Sequence, residues 1–282
     1  MPSIDELKEQ QRKQWSGSAA NWDNQHENRE RETAAVTDWL LREARITAGM
    51  RVLDLACGSG HPSLTIAGIV GGSGSVVATD LVPEMVAVTA RRASEAGLSN
   101  LETRVTDAEA IDFRASSFDA VTCRFGMMFC ARPAVAISEV HKVLKPGGRF
   151  ALSVWSEPQY SPAQTVGGEA LRRCGRPQPA VDFDVPGIYQ LAPEGKLRRL
   201  LLGAGFREVR VEPITLISEY ASIDAFLGPQ AMRTGAFRAV FDEATDEERG
   251  RLRMALTDVL MPYMVDGTIR LTLTPLCAVA SK

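Results

Sequence analysis

Disulfides, metal centres and membrane spans each need residues that this sequence is short of. Its five cysteines (Cys57, Cys123, Cys130, Cys174 and Cys277) are an odd number and form no C-x-x-C pair. That usage points to free, mostly buried thiols in a reducing compartment and away from a disulfide or zinc framework. Histidines number only three, and no metal site is expected. No apolar run approaches the ~20 residues that cross a bilayer, and the opening segment MPSIDELKEQQRKQW does not have the pattern of a signal peptide. A cytoplasmic protein without membrane insertion is expected. A formal charge of −3 with no long basic run leaves no electrostatic footprint for nucleic acid. What is present is ordinary globular composition, 45% hydrophobic and 24% charged over 282 residues. This allows one large α/β domain, alone or with a smaller appendage.

Along the chain, residues 1–46 read as helical and amphipathic, with Val36, Trp39, Leu40, Ala44 and Ile46 on roughly one face. Short apolar runs then alternate with helical patterns: MRVLDLA, a helix near 61–69, SVVATD, a helix near 83–96, LETRV, FDAVTCRF, a helix near 133–144, and GRFALSVW. Alternation of this kind predicts a parallel sheet wrapped by crossover helices. The GGSGS segment precedes a strand and so reads as a flexible turn, not a phosphate cradle. After Trp155 the rhythm breaks. Residues 157–192 are rich in proline and glycine, APEGKLRRLLLGAGF reads as a helix with a glycine stop, and REVRVEPITLISEY reads as one strand. A second interruption, 221–267, leads to a last strand, TIRLTLTPLCAVASK. Loops at the carboxyl edge of such a sheet carry specificity, so the two interruptions are candidate lids.

The chemistry gathers at VLDLACGSGHPSLTIA, residues 52–67. A strand running into Gly58-Ser59-Gly60 and then a helix bares backbone N–H groups, and glycines let a ligand approach closely. The third glycine of a dinucleotide turn is replaced by Ser63, and Asp54 stands just upstream, where it would repel a pyrophosphate and attract an amine. The second strand ends in Asp80, placed for ribose hydroxyls or for capping the next helix. Asp107 follows the third strand, placed for an adenine amino group or for a turn.

With these residues together, the chain resembles the class I S-adenosylmethionine-dependent methyltransferases, especially the bacterial branch that methylates quinones and small molecules. VLDLACGSG, VVATDLVPEM, TDAEAI, FDAVTCRFGMMF and EVHKVLKPGGRFALSVW match that family's motifs in order, continuously from about 50 to 155. The resemblance implies a Rossmann-like, doubly wound, seven-stranded and mostly parallel sheet with an antiparallel C-terminal hairpin. It implies an N-terminal helical cap over 1–46 and a methyltransferase domain over 47–282, with lid insertions at 157–192 and 221–267. It implies S-adenosylmethionine as cofactor, with S-adenosylhomocysteine as product. Asp54, Ala56, Gly58 and Gly60 would hold its methionine part, Asp54 facing the ammonium. Asp80 would bind the ribose, with Leu81 and Met85 packing on ribose and adenine. Asp107 and the N–H of Ala108 would bind adenine, and Arg124 would contact the methionine end through its backbone. Ala56 stands where the motif usually has its first glycine, and KPGG (145–148) reads as a tight turn ahead of the fifth strand.

Transfer from a sulfonium rests on alignment, which supplies roughly 7–11 kcal/mol of barrier reduction without a strong base. His61, at the start of the helix after the turn, is the candidate base, its alternative being a helix-terminal residue without a proton role. His141 reads as structural, and His26 as exposed, with reach into the pocket as its alternative. Phe125, Met127 and Met128 are candidate linings of an apolar acceptor pocket, with core packing as the alternative. Trp15 and Trp22 resemble the family's cap over the cofactor. Tyr160, Tyr189, Phe226, Met232 and Phe237 in the interruptions suggest a small apolar, aromatic or isoprenoid acceptor, methylated on oxygen, nitrogen or carbon by a monomer or homodimer. Two other readings stay open: an enzyme of this fold that uses bound S-adenosylmethionine for a non-methyl reaction in secondary metabolism, and a nicotinamide-dependent oxidoreductase, disfavoured by Asp54 and the missing third glycine.

Overall fold

The computed structural model describes residues 2–228 and 235–282. In chain order the elements are α1 Ile4–Asn24, α2 His26–Glu43, β1 Arg51–Leu55, α3 Ser63–Val70, β2 Ser75–Asp80, α4 Pro83–Glu95, β3 Leu101–Val105, β4 Phe118–Arg124, α5 Pro133–Val143 and β5 Leu144–Trp155. They continue with α6 Pro162–Arg173, α7 Glu194–Gly203, β6 Arg207–Pro213, β7 Leu216–Tyr220, α8 Ile223–Leu227, α9 Gly235–Glu243, α10 Asp246–Leu260, β8 Met264–Val265, β9 Thr268–Leu273 and β10 Pro275–Ser281. Two compact units result. The first holds Met1–Ser156, Asp182–Ile214 and Pro275–Lys282; the second holds Glu157–Val181 and Thr215–Thr274.

In the first unit seven strands lie in the order β3-β2-β1-β4-β5-β10-β6. Neighbours from β3 to β5 are parallel, and β10 alone runs antiparallel, between β5 and β6. The central strands are continuous apolar runs because both faces are covered. One face, with Leu53, Leu55, Val121, Cys123, Phe150, Leu152 and Val154, packs on Ala136, Ile137 and Val140 of α5 and Leu197 and Leu201 of α7. On the opposite face α3 buries Ser63, Ile66, Ala67 and Val70, an i, i+3, i+4, i+7 stripe. Edge strand β3 is short and carries Glu102 and Arg104, which discourages pairing with another chain. GGSGS is the turn between α3 and β2, closed by a Gly74 N–H to Gly71 carbonyl bond of 3.0 Å.

The second unit has a three-stranded antiparallel sheet, β7-β9-β8. Its core joins Val166, Ala170 and Leu171 of α6, Phe226, Phe237, Leu252, Leu256 and Leu260, and Ile269 and Leu271 of β9. Phe226 and Phe237, suggested from sequence as acceptor contacts, are core residues of this unit, and Met232 lies outside the described residues.

Four sequence expectations are corrected by the structure. REVRVEPITLISEY is two strands, β6 and β7, in different sheets, and TIRLTLTPLCAVASK is likewise β9 and β10. The patterns differ accordingly: TIRLTL alternates, with one face packed, whereas PLCAVAS is buried on both faces. KPGG does not precede the fifth strand but loops out of it. Leu144 opposes Phe118, pairing resumes with Arg149 opposite Ala120, and Gly147 takes φ +76°. Residues 182–192, expected within one insertion with 157–181, belong to the first unit. There the Gly187 N–H donates to the Met128 carbonyl at 3.0 Å. The Gln190 amide, oriented with its nitrogen inward, donates to Met128 and Cys130 carbonyls at 2.9 and 3.1 Å.

Candidate active site

Because β1 to β4 are parallel neighbours, their C-terminal ends share one edge, and the loops that leave it converge. After β1 the backbone turns sharply, with φ +54° at Ala56, +54° at Gly58 and +110° at Gly60. The turn is fastened from below: Cys57 N–H donates to Thr79 carbonyl at 2.9 Å, and Thr89 hydroxyl to Gly58 carbonyl at 2.9 Å. Gly126, after β4, presses against it so closely that a Cβ there would lie 2.3 Å from the Ala56 Cβ.

Asp54 stands beneath this turn and not at its mouth. It is 0% exposed, and Thr122, its neighbour across the sheet, donates a hydroxyl hydrogen bond of 2.6 Å to Oδ1. Ser63, the residue in place of a third glycine, donates its hydroxyl to Oδ2. Burial pushes the Asp54 carboxyl up to about 6, opposed by these two donors. A carboxylate with no exposed surface cannot face a ligand ammonium directly. It fixes the start of α3 to the end of β1.

Asp80 binds the turn itself. Its Oδ2 accepts from Gly58 N–H at 3.0 Å and its Oδ1 from Val82 N–H at 3.1 Å. Burial raises its pKa, with these backbone donors opposing. Leu81 and Met85 join Ala19, Val82, Trp15 and Trp22 in an apolar cluster under α1. The Trp15 ring also meets Phe129 edge-on at 4.8 Å.

At the end of β3, Asp107 accepts from Lys8 Nζ at 2.6 Å and from Glu109 N–H at 2.8 Å. Lys8 also lies 3.1 Å from Glu109, whose buried carboxylate is gripped by Arg132 through Nε and N–H, each at 2.9 Å. Burial opposes charge on Glu109, but Arg132 and Lys8 hold it below the usual carboxylate range. Ala108 packs against the main core.

Arg124, at the end of β4, turns its side chain onto α2, where Nη1 donates to Glu30 at 2.5 Å, Thr37 at 2.7 Å and Thr33 at 3.1 Å. Glu30 lies 3.9 Å from His61 Nδ1, which also meets Thr65 Oγ1 at 3.3 Å. Burial lowers the His61 pKa to about 4, so its imidazole is neutral at pH 7. His26, expected to be exposed, stacks on His61 at 5.2 Å with its Nδ1 buried. His141 packs edge-on against Phe206, away from these residues.

Phe125 takes φ +58° and stacks on Trp155 at 4.4 Å. Met127 and Met128, at 0% and 1% exposed, belong to the hydrophobic core. Tyr160 is 55% exposed and lies in the second unit. Sequence reading missed Lys8, Arg29 and Glu30, because polar residues on a helix read as its solvated face, and Glu109, which lies in the turn after β3.

The donor set fits S-adenosylmethionine. The turn bares backbone, Asp80 and Asp107 follow neighbouring strands beside the apolar cluster of Leu81 and Met85, and buried polar atoms without partners, Arg29 Nε and His26 Nδ1, stand on the first turn of α2. A family profile described as "Methyltransferase domain" matches residues 52–148. The ubiquinone/menaquinone biosynthesis C-methyltransferase UbiE of Coxiella burnetii is 32% identical over 130 residues, 46% of this chain and 52% of that protein. The chain thus spans about half the length of the curated relatives it matches. Among solved structures, YcgJ of Bacillus subtilis superposes with a TM-score of 0.59 at 22% identity, covering 88% of this chain and 98% of that one. A putative methyltransferase of Bacillus halodurans does so with 0.57 at 22%, covering 87% and 98%. These likenesses establish the fold, and the match over 52–148 falls on the strands and turns that build the site. Residues 52–148 are thus similar to a methyltransferase domain, carried on a fold shared with methyltransferase structures.

Proposed function

We propose that the chain transfers a methyl group from S-adenosylmethionine to a small, apolar, ring-bearing acceptor, acting in the cytoplasm as a monomer or homodimer. The observation that carries this reading is the convergence of the positive-φ turn, Asp80 and Asp107 at one sheet edge beneath α1. Bound S-adenosylmethionine supplies an activated methyl on a sulfonium; the chain's task is to hold, align and dry. Asp80 accepts from ribose hydroxyls while keeping Gly58 in place, and Asp107 accepts from the adenine amino group beside Ala108. Leu81 and Met85 pack on the rings between them. The backbone of Ala56, Gly58, Gly60 and Arg124 meets the amino-acid end, with Asp54 supporting it from below.

The acceptor reading rests on aromatic surface in the first unit: Phe125 stacked on Trp155, and Trp15 with Trp22 and Phe129 over the turn. Such walls exclude water and favour flat apolar rings. His61, neutral and beside Glu30, takes the acceptor's proton where the acceptor has one to lose. The test is release of S-adenosylhomocysteine, followed by mass spectrometry, against a panel of hydroxylated quinones, phenols and isoprenoids. Product that accumulates only with apolar ring acceptors supports the reading, whereas methylation of only charged or macromolecular acceptors overturns it. His61→Ala should then lower kcat with little change in KM for the cofactor.

A further inference from the structure

Arginines near the site are paired, with one exception. Arg92 meets Asp23 at 2.7 Å, Arg124 meets Glu30 at 2.5 Å and Arg132 meets Glu109 at 2.9 Å. Arg29, on the first turn of α2, has a buried Nε with no hydrogen-bond partner, and no carboxylate among the described residues lies within ion-pair distance of it. Its guanidinium is spread over the Trp22 ring, 4.2 Å from the centroid. Burial alone lowers its pKa, with no counter-charge to oppose it. A buried guanidinium N–H without a partner costs free energy that a hydrogen-bonding anion recovers.

Its surroundings say which anion. Trp22, under Arg29, brings Cε3 to 4.0 Å from where a Gly58 Cβ would stand. His26, one turn before Arg29, has an unpartnered buried Nδ1 and stacks on His61, which directly follows Gly60. Both orphaned groups therefore stand over the glycine turn. The adenosine end is marked by Asp107, which Lys8 reaches from the start of α1; Lys8 and Trp22 are separated by about 21 Å of helix. The first turn of α2 thus belongs to the other end of the cleft. A planar guanidinium with its Nε edge free matches a carboxylate, which it binds through two parallel hydrogen bonds.

We propose that Arg29, assisted by His26, binds the carboxylate of the amino-acid end of S-adenosylmethionine. The inference rests on the cofactor reading above. The experiment is calorimetric titration of wild-type, Arg29→Met and Arg29→Lys protein with S-adenosylhomocysteine and with its decarboxylated analogue. Wild-type protein should prefer the carboxylate-bearing ligand roughly 10- to 100-fold, as for a hydrogen bond to a charged group. In Arg29→Met, which keeps an aliphatic stem on Trp22, that preference should fall below about threefold while affinity for the decarboxylated analogue stays the same. Arg29→Lys should recover part of the preference. An undiminished preference in Arg29→Met overturns the assignment. So does equal wild-type affinity for both ligands, which would leave the carboxylate unbound, or loss of both ligands in Arg29→Met, which would make the residue structural. Failure of wild-type protein to bind either ligand overturns the cofactor reading itself.

Discussion

The sharpest test of how the cofactor turn is built is Gly126→Ala, with Ala56→Gly as its partner. A Cβ at Gly126 would lie 2.3 Å from the Ala56 Cβ and 3.0 Å from the Cys123 Sγ. Carbon atoms at ease stand about 3.5–4.0 Å apart, so the first overlap exceeds an ångström and falls on a residue with little freedom to retreat. Ala56 itself holds φ +54° at the start of the turn. Overpacking of this kind costs typically 1–3 kcal/mol, and about 3 is expected here because a Cβ beside backbone cannot swing away as a long side chain can. The turn should shift with it, and affinity for S-adenosylhomocysteine should fall as stability does. Ala56→Gly removes the clashing atom, after which the nearest atom of residue 56 would be its Cα, at 3.7 Å. By itself that change should be close to neutral. It relieves about 1–2 kcal/mol of left-handed strain and adds about 0.5–1 kcal/mol of unfolded-state freedom. The double variant should therefore recover most of the lost stability and affinity, short of what the Cys123 contact keeps. The assay is urea unfolding of all four proteins, with a coupling of about 2 kcal/mol expected from the cycle, alongside calorimetry with S-adenosylhomocysteine. A Gly126→Ala midpoint equal to wild type, or a double variant no better than Gly126→Ala, would refute the packing argument.

Two further perturbations address the acids. Asp80→Ala removes a carboxylate that accepts from Gly58 and Val82 N–H groups. It should weaken S-adenosylmethionine binding by roughly 1.5–3 kcal/mol in calorimetry, and unchanged affinity would remove Asp80 from the site. Asp54 tests the electrostatics of burial. Its carboxyl stands at about 6 against a usual 3.8, so the folded protein keeps this proton over a range in which the unfolded chain has given it up. Its contribution to stability is full below pH 3.8 and is lost as pH rises to 6, by roughly 3 kcal/mol. Asp54→Asn lacks this slope. Between pH 4 and 7 its unfolding free energy should gain on wild type by about that amount, because the depressed acids Glu30, Glu109 and Asp119 act with the opposite sign in both proteins and cancel. Parallel stability curves would show that Ser63 and Thr122 fully offset the burial.

The sheet was legible because its strands are short apolar runs at crossover spacing, a signal that burial on both faces makes redundant along β1, β2, β4 and β5. The strand pairs β6–β7 and β9–β10 were misread because each joins two strands with no turn residues between them. In the second pair the change from alternation in TIRLTL to continuity in PLCAVAS was present, but it says only that the environment changes, not that the chain enters another sheet.

At the site, legibility followed the backbone. Glycines that need positive φ announce themselves, and so do acids at strand ends, which placed Ala56, Gly58, Gly60, Asp80 and Asp107 together. Asp54 was placed with them but given the wrong neighbours, because sequence spacing cannot tell a carboxylate above a turn from one below it. Strand alternation could have told them apart: Val52 and Asp54 share a face of β1, opposite to Leu53 and Leu55 in the core packed by α5 and α7. That face meets Thr122 in register and Ser63 on α3, leaving the acid nowhere to look but inward. Lys8, Arg29 and Glu30 gave no such signal. On a mostly polar helix a buried charge and a solvated one have the same spelling, and only the partner across the gap distinguishes them. For Lys8 and Glu30 that partner is Asp107 or Arg124, far along the chain. For Arg29 the described residues supply none, which makes the carboxylate of a ligand the natural candidate and the decarboxylated analogue the probe that decides it.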